Sequence, residues 1–354
     1  MGRILRPAIA VVGTAFDSRG NRLHANAGHV YCAAAPPFGK GIVHRPGRLI
    51  RWCLPALSAL LVLAGCAGNA PRDPQVRANA ASAVFPFELT TQNNIVVKAR
   101  LNGTDALNLM MHTAATDVTL TEEAVRRSPS LHFGGADQVK SWGGSETSRY
   151  SVGNRLQIGD MQWNGIVVWE DRNSGQGTDG KFGLDLFRGK IVEIDFARRL
   201  IAVYERLPAK AALFRRLAIE PGGGGMMVRA DCVIDGVTYS QRFLLHSGYA
   251  GGVLLDDSFA ATVGADRKLK IVDETVLKDS FGHAIKVRKA VLPAFVLGGV
   301  RLADVPAGFF SGGTGAQRTS VIGGDVLKRF DLIFDTAHGA LYLRPNDKQA
   351  TQPG

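Results

Sequence analysis

The chain has 354 residues, enough for two domains, and its 45% hydrophobic and 21% charged content is ordinary for a globular protein. Forty-two glycines favour a turn-rich structure over long helices. The net charge of +11 suggests nucleic acid only until it is divided. Residues 1–65 hold eight Lys/Arg against Asp17 alone, and the remainder holds 34 basic and 30 acidic residues with no basic cluster interleaved with aromatics, so no nucleic-acid partner is expected.

In chain order, the first local signal is a basic stretch, His44, Arg45, Arg48 and Arg51. An apolar run, Trp52 to Leu63, follows and closes on Leu63-Ala64-Gly65-Cys66. This is the build of a secretory signal, and its end resembles the lipobox of bacterial lipoproteins, whose cysteine is lipidated and becomes the new N-terminus. The apolar run is shorter than the roughly 20 residues that span a bilayer. Cys66 is therefore the expected lipidation site, and residues 1–65 are expected to be a leader and signal. Residues 1–42 lie upstream of the basic stretch, which fits a start site assigned too early. Ala67 after the cysteine, in place of Asp, resembles lipoproteins sent to the outer membrane, so a lipid-anchored monomer facing the periplasm is expected. Residues 66–83 read as a flexible tether. After processing, Cys66 and Cys232 remain, which leaves no disulfide framework or zinc cluster. Cys232 sits in the apolar run Met227 to Ile234 and reads as a buried, inert thiol.

From Val84 onward short apolar runs alternate with Gly/Asn/Asp turns. Ile95 to Leu101 precedes Asn102-Gly103, a hairpin-turn dipeptide. Residues 107–111 and 117–120 are further predicted strands. Short helices are predicted only near residues 122–127 and 257–262. The pattern predicts an all-β protein.

An internal repeat organises these strands. Gly183 and Asp195 are 12 positions apart, as are Gly323 and Asp335, within Phe182-Gly-Leu-Asp-Leu-Phe and Ile322-Gly-Gly-Asp-Val-Leu. Upstream, Leu109-Met-Met-His112-Thr113-Ala-Ala matches Phe243-Leu-Leu-His246-Ser247-Gly-Tyr. The histidines are 134 positions apart and the later glycines 140. Residues 84–206 and 217–345 are thus expected to be two copies of one unit, with a linker over 207–216 and a tail over 346–354.

The order of these blocks resembles the retropepsin-like and pepsin-like aspartic proteases, in which each lobe carries an apolar strand, Asp-Thr/Ser-Gly, and later an apolar pair before Gly. The resemblance implies two tandem β-barrel lobes with a few short helices. Trp142, Gly143 and Gly144 resemble the glycine-rich flap, and Asp279-Ser-Phe-Gly282 its second-lobe counterpart. The resemblance also implies that His112 and His246 occupy the positions of the two catalytic aspartates, with Thr113 and Ser247 as the adjoining hydroxyls. Ala114 replaces the first lobe's glycine, whereas Gly248 is kept.

Aspartic proteolysis needs two carboxylates close enough to share a proton. Two imidazoles cannot form that dyad, and burial with mutual repulsion is expected to keep at least one neutral. Asp185, Asp195, Asp325 and Asp335 read as turn and strand-end residues, and His132, His283 and His338 as ordinary surface or core histidines. Three functions follow. The first is a pseudoprotease that binds an extended peptide or protein segment between the lobes. The second is a hydrolase using the histidine pair directly or through a metal, although a third protein ligand is not evident. The third is an active aspartic peptidase with other carboxylates. No cofactor is expected, and a metal could be held only at His112 and His246.

Overall fold

The computed structural model describes residues 80–141, 144–175, 177–222, 225–310 and 318–346. The expectations for Cys66, Trp142, Gly143, the leader, most of the tether and residues 347–354 lie outside these described residues.

Alternating burial along Ile95–Leu101 packs one face of the strand into the core. Asn102 and Gly103, at φ 51° and 83°, turn it tightly into Asp105–Met111. Asp235 and Gly236, at φ 51° and 76°, turn Gly225–Ile234 into Val237–Leu245 in the second half, one residue more tightly than the 102–104 turn of the first. The positive φ angles of Asp235 and Gly236 suit the twist of a two-residue hairpin. Each half forms an eight-stranded sheet, and in each the first long strand also pairs with a later one, Ile95–Leu101 with Gly144–Ile158 and Gly225–Ile234 with Ala284–Leu297. That extra pairing closes the sheet, and the result is the expected all-β pair of barrel lobes.

A third, six-stranded sheet joins the lobes. At its centre Ile191–Asp195 pairs antiparallel with Phe330–Asp335, the matching strands of the two copies. The repeat's aspartates serve its turns. Asp195 accepts from the backbone N–H of Arg198 at 2.7 Å, and Asp335 from that of His338 at 3.2 Å. Asp185 and Asp325 pair with Arg188 and Arg329. The segment between the copies is more ordered than a plain linker. Residues Ala209–Leu213 form a 3-10 helix, and Arg215–Ala218 is a strand on Ala340–Pro345. Burial of Phe214 against the back of this sheet, beside Tyr204 and Ile333, accounts for that order.

Two unpredicted single-turn helices form at Ala265–Lys268 and Gly324–Leu327. The two predicted short helices run Glu122–Arg126 and Asp257–Val263, capped by the side chains of Thr121 and Asp256. The second ends one residue later than predicted, at Gly264 with φ 68°. Cys232 is fully buried, and burial pushes its thiol up to about 12, as an inert core cysteine requires.

In both lobes the strand leading to the histidine runs parallel to the strand before the repeat's glycine. That strand in turn lies antiparallel to the one after the histidine loop. The histidine loop therefore passes directly over the glycine. A Cβ on Gly183 would lie 1.9 Å from the Ala115 carbonyl oxygen, and one on Gly323 would lie 2.2 Å from that of Gly251. Since the obstacle is backbone, Gly183→Ala is expected to cost about 3 kcal/mol or more in urea-induced unfolding. A cost under about 1 kcal/mol would mean the loop is not held this closely.

Candidate functional site

The two histidine loops meet at the lobe interface through reciprocal hydrogen bonds. Thr113 Oγ1 donates to the Leu245 carbonyl at 2.7 Å, and Ser247 Oγ donates to the Met111 carbonyl at 2.7 Å. Each hydroxyl also accepts the other loop's backbone N–H, Thr113 N to Ser247 Oγ and Ser247 N to Thr113 Oγ1, both at 3.0 Å. Thr113 and Ser247 are 4% and 2% exposed, so these bonds form away from water. Asn94, from the first lobe, adds a bond to the Ser247 carbonyl at 3.2 Å.

The crossing brings His112 and His246 together, with ring centroids 4.5 Å apart and ring planes at 59°. Backbone N–H groups of both residues donate to the adjacent strand, His112 to Phe182 and His246 to Ile322, each at 2.9 Å. His112 Nδ1 accepts the Ala114 N–H at 3.2 Å, which leaves the proton of the neutral ring on Nε2. The same ring lies flat against Gly248, where a Cβ would come within 2.4 Å of Nε2. Gly248 is thus required by the histidine across the interface. His246 Nδ1 is buried and has no hydrogen-bond partner.

Electrostatics keep both rings neutral. Each side chain retains some exposed surface, but dense packing dominates. Burial, then the neighbouring His246, then Lys181 hold His112 well below the usual imidazole range. Burial and Lys181 bring His246 down to about 4. No carboxylate is among the groups that perturb either ring. The site therefore offers neutral nitrogen donors and acceptors beside one ammonium.

That ammonium belongs to a residue the sequence reading did not single out. Lys181 lies one position before Phe182, on the strand that receives His112, and its Nζ contacts Asp171 Oδ2 and Ser280 Oγ, each at 2.7 Å. Its side chain is 10% exposed and that of Asp171 is 4% exposed. Thr119 Oγ1 also donates to Asp171 Oδ2 at 2.8 Å. A comparison of the two copies at this position, Lys181-Phe-Gly against Val321-Ile-Gly, is the signal that could have found it.

Ser280 sits at the tip of the second-lobe hairpin, between Lys270–Lys278 and Ala284–Leu297. The tip crosses to the first lobe, where the N–H groups of Arg172 and Asn173 donate to the Ser280 carbonyl at 2.8 and 2.9 Å. His283, read from the sequence as ordinary, joins the two hairpins. Its Nδ1 lies 3.0 Å from Asp279 and its Nε2 3.3 Å from Glu146 of the first-lobe hairpin. Both carboxylates raise its pKa, the hydrogen bond to Asp279 most. Gly144 is at the base of the first hairpin's turn, paired with Ser141, and the position of its Cβ would be 3.5 Å from the His283 ring. The first-lobe tip, Trp142 and Gly143, lies outside the described residues.

Two outcomes follow from the paired loops. Ser247→Ala strips Met111 and Thr113 of buried hydrogen-bond partners and is expected to cost about 3 kcal/mol in urea denaturation. Ser247→Thr, which copies the other lobe, should cost less than about 1 kcal/mol. Equal costs for the two variants would contradict the crossing. The second outcome concerns acid. The folded-state values of His112 and His246 lie below the unfolded value near 6.5, so the unfolded chain takes up protons first as pH falls. The pair's contribution therefore declines from about pH 6.5 toward pH 4. The acid loss of stability should be smaller in His246→Gln than in the parent, and an unchanged slope would count against buried neutral rings.

No family model matches the chain. No curated protein matches it in sequence. Among solved structures, the crystal structure of an aspartic proteinase from Irpex lacteus is similar, with a TM-score of 0.54 and 13% identity over 77% of this chain and 99% of that one. At such low identity the likeness concerns the fold, and this chain has the bilobal, all-β fold of a pepsin-like aspartic proteinase.

Proposed function

We propose that this protein is a non-proteolytic member of the aspartic-protease architecture that holds an extended peptide or protein segment between its lobes. The observation that carries the reading is the histidine pair at the crossed loops, with ring centroids 4.5 Å apart and no carboxylate among the groups that shift either ring. Activation of water by an aspartic dyad needs one ionised and one protonated carboxylate. Neutral imidazoles beside a lysine supply neither. A divalent cation is also disfavoured here. Among the described residues two protein ligands converge on the spot, fewer than hydrolytic metal centres use, and the Lys181 ammonium repels positive charge.

The architecture that presents a peptide between the lobes needs hairpins and strand edges rather than aspartates. In the present conformation the second-lobe hairpin roofs the site through Ser280. Its tip hydrogen bonds are worth about 1 kcal/mol each in net terms, which a ligand's own backbone pairing can replace. The lipobox-like Leu63-Ala-Gly-Cys66 supports a further part of the reading, a lipid anchor that places the lobes at the periplasmic face of the bacterial envelope.

Two experiments test this reading. Purified protein assayed on casein between about pH 3 and 7, the range in which carboxylates and histidine change charge, should show no pepstatin-sensitive cleavage. Robust pepstatin-blocked cleavage would place an active dyad elsewhere. For the anchor, Cys66→Ser should shift the protein out of the membrane fraction or leave it unprocessed. Unchanged fractionation and mobility would refute lipidation at Cys66.

A further inference from the structure

The two copies of the repeat treat one wall of the cleft in opposite ways. Thr119 pairs with Lys181 as Leu254 pairs with Val321. Val118 pairs with Val168 as Val253 pairs with Ala307, which sets Asp171 at the place of Phe310. The first lobe thus has Thr119, Asp171 and Lys181 where the second has Leu254, Phe310 and Val321. The second-lobe trio packs into an apolar cluster with Met227 and Leu244. The first-lobe trio is hydrogen-bonded and carries both charges of an ion pair. A buried ion pair is commonly no more stable than apolar residues of similar volume, and the second lobe displays the apolar solution in the same fold. The charged version therefore calls for a use beyond packing.

The geometry is unfinished in a way that fits a ligand. Of the three Lys181 N–H donors, two have partners among the described residues, Asp171 and Ser280. Asp171 divides a single oxygen, Oδ2, between Lys181 and Thr119, and burial raises its pKa despite Lys181. The charge of this ammonium is felt by two neutral imidazoles, with the proton of His112 on Nε2 and Nδ1 of His246 unpartnered among the described residues. A ligand carboxylate would accept the remaining Lys181 N–H and compete with Asp171 for the ammonium.

We propose that Lys181 is a specificity residue that selects ligands with an acidic side chain at the cleft position beside His112 and His246. The second-lobe cluster then provides the apolar wall for a neighbouring ligand residue. This inference rests on the peptide-binding reading above and deepens it by naming the ligand's chemistry.

Fluorescence anisotropy on the full-length protein provides the test. The probes are fluorescein-labelled extended nonapeptides that carry Glu, Gln, Leu or Lys at one position in turn. In at least one register the Glu peptide should bind about tenfold more tightly than its Gln and Lys counterparts. Lys181→Met should bring the Glu peptide to the affinity of the Gln peptide. Asp171→Asn keeps the shape, removes the competing negative charge, and should strengthen Glu-peptide binding several-fold. This opposite-signed change separates recognition from a loss of folding. Equal Glu and Gln affinities in the parent protein would overturn the inference alone. So would a Glu preference that survives Lys181→Met, or an equal loss for every peptide, as a simple hairpin latch would give. Failure of every peptide to bind would overturn the peptide-binding reading and this inference with it.

Discussion

Four hydrogen bonds between Thr113 and Ser247 and the opposite loops hold the centre of this molecule. Each hydroxyl donates to one lobe's backbone and accepts from it, so neither loop can shift without stranding buried polar groups of the other. The crossing fixes where residues 112 and 246 can be, whatever their side chains. It holds the fold at its centre without any contribution from the two imidazoles. The loops are anchored by the residue that follows each histidine.

A pair of imidazoles behaves in the opposite way to a pair of carboxylates. Two carboxylates at this separation share a proton and stay useful in acid. Two buried imidazoles next to Lys181 instead shed their protons and become a neutral pair. Lys181 reinforces this from the strand that receives His112, while its link to Ser280 draws in the second-lobe hairpin. The site and its roof are therefore coupled through one side chain. Glu146, His283 and Asp279 make a second contact between the hairpins, nearer solvent.

Much of the fold was legible in the sequence because the chain states its design twice. The paired spacings of His112 and His246, and of Gly183 and Gly323, define the crossed loops and the glycines beneath them. Thr113 and Ser247 follow from the same alignment of halves. What stayed hidden depends on contacts between segments far apart in the chain. Lys181 looks like an interruption in an apolar strand until Asp171 and Ser280 are brought to it from 10 and 99 positions away. His283 looks ordinary until the hairpins meet. Arg215 and Arg216 fall in the expected linker, and their strand pairing is hidden because the partner, Ala340–Pro345, lies more than 100 residues downstream.

The central claim is that a neutral histidine pair stands where an acid protease keeps its proton-sharing carboxylates. The most direct measurement is long-range proton–nitrogen NMR of the histidines, assigned by His112→Gln and His246→Gln, followed from pH 8 to pH 5. The account predicts that both rings remain neutral throughout, with the His112 proton on Nε2. Either ring titrating near 6.5, the ordinary value for imidazole, would contradict it.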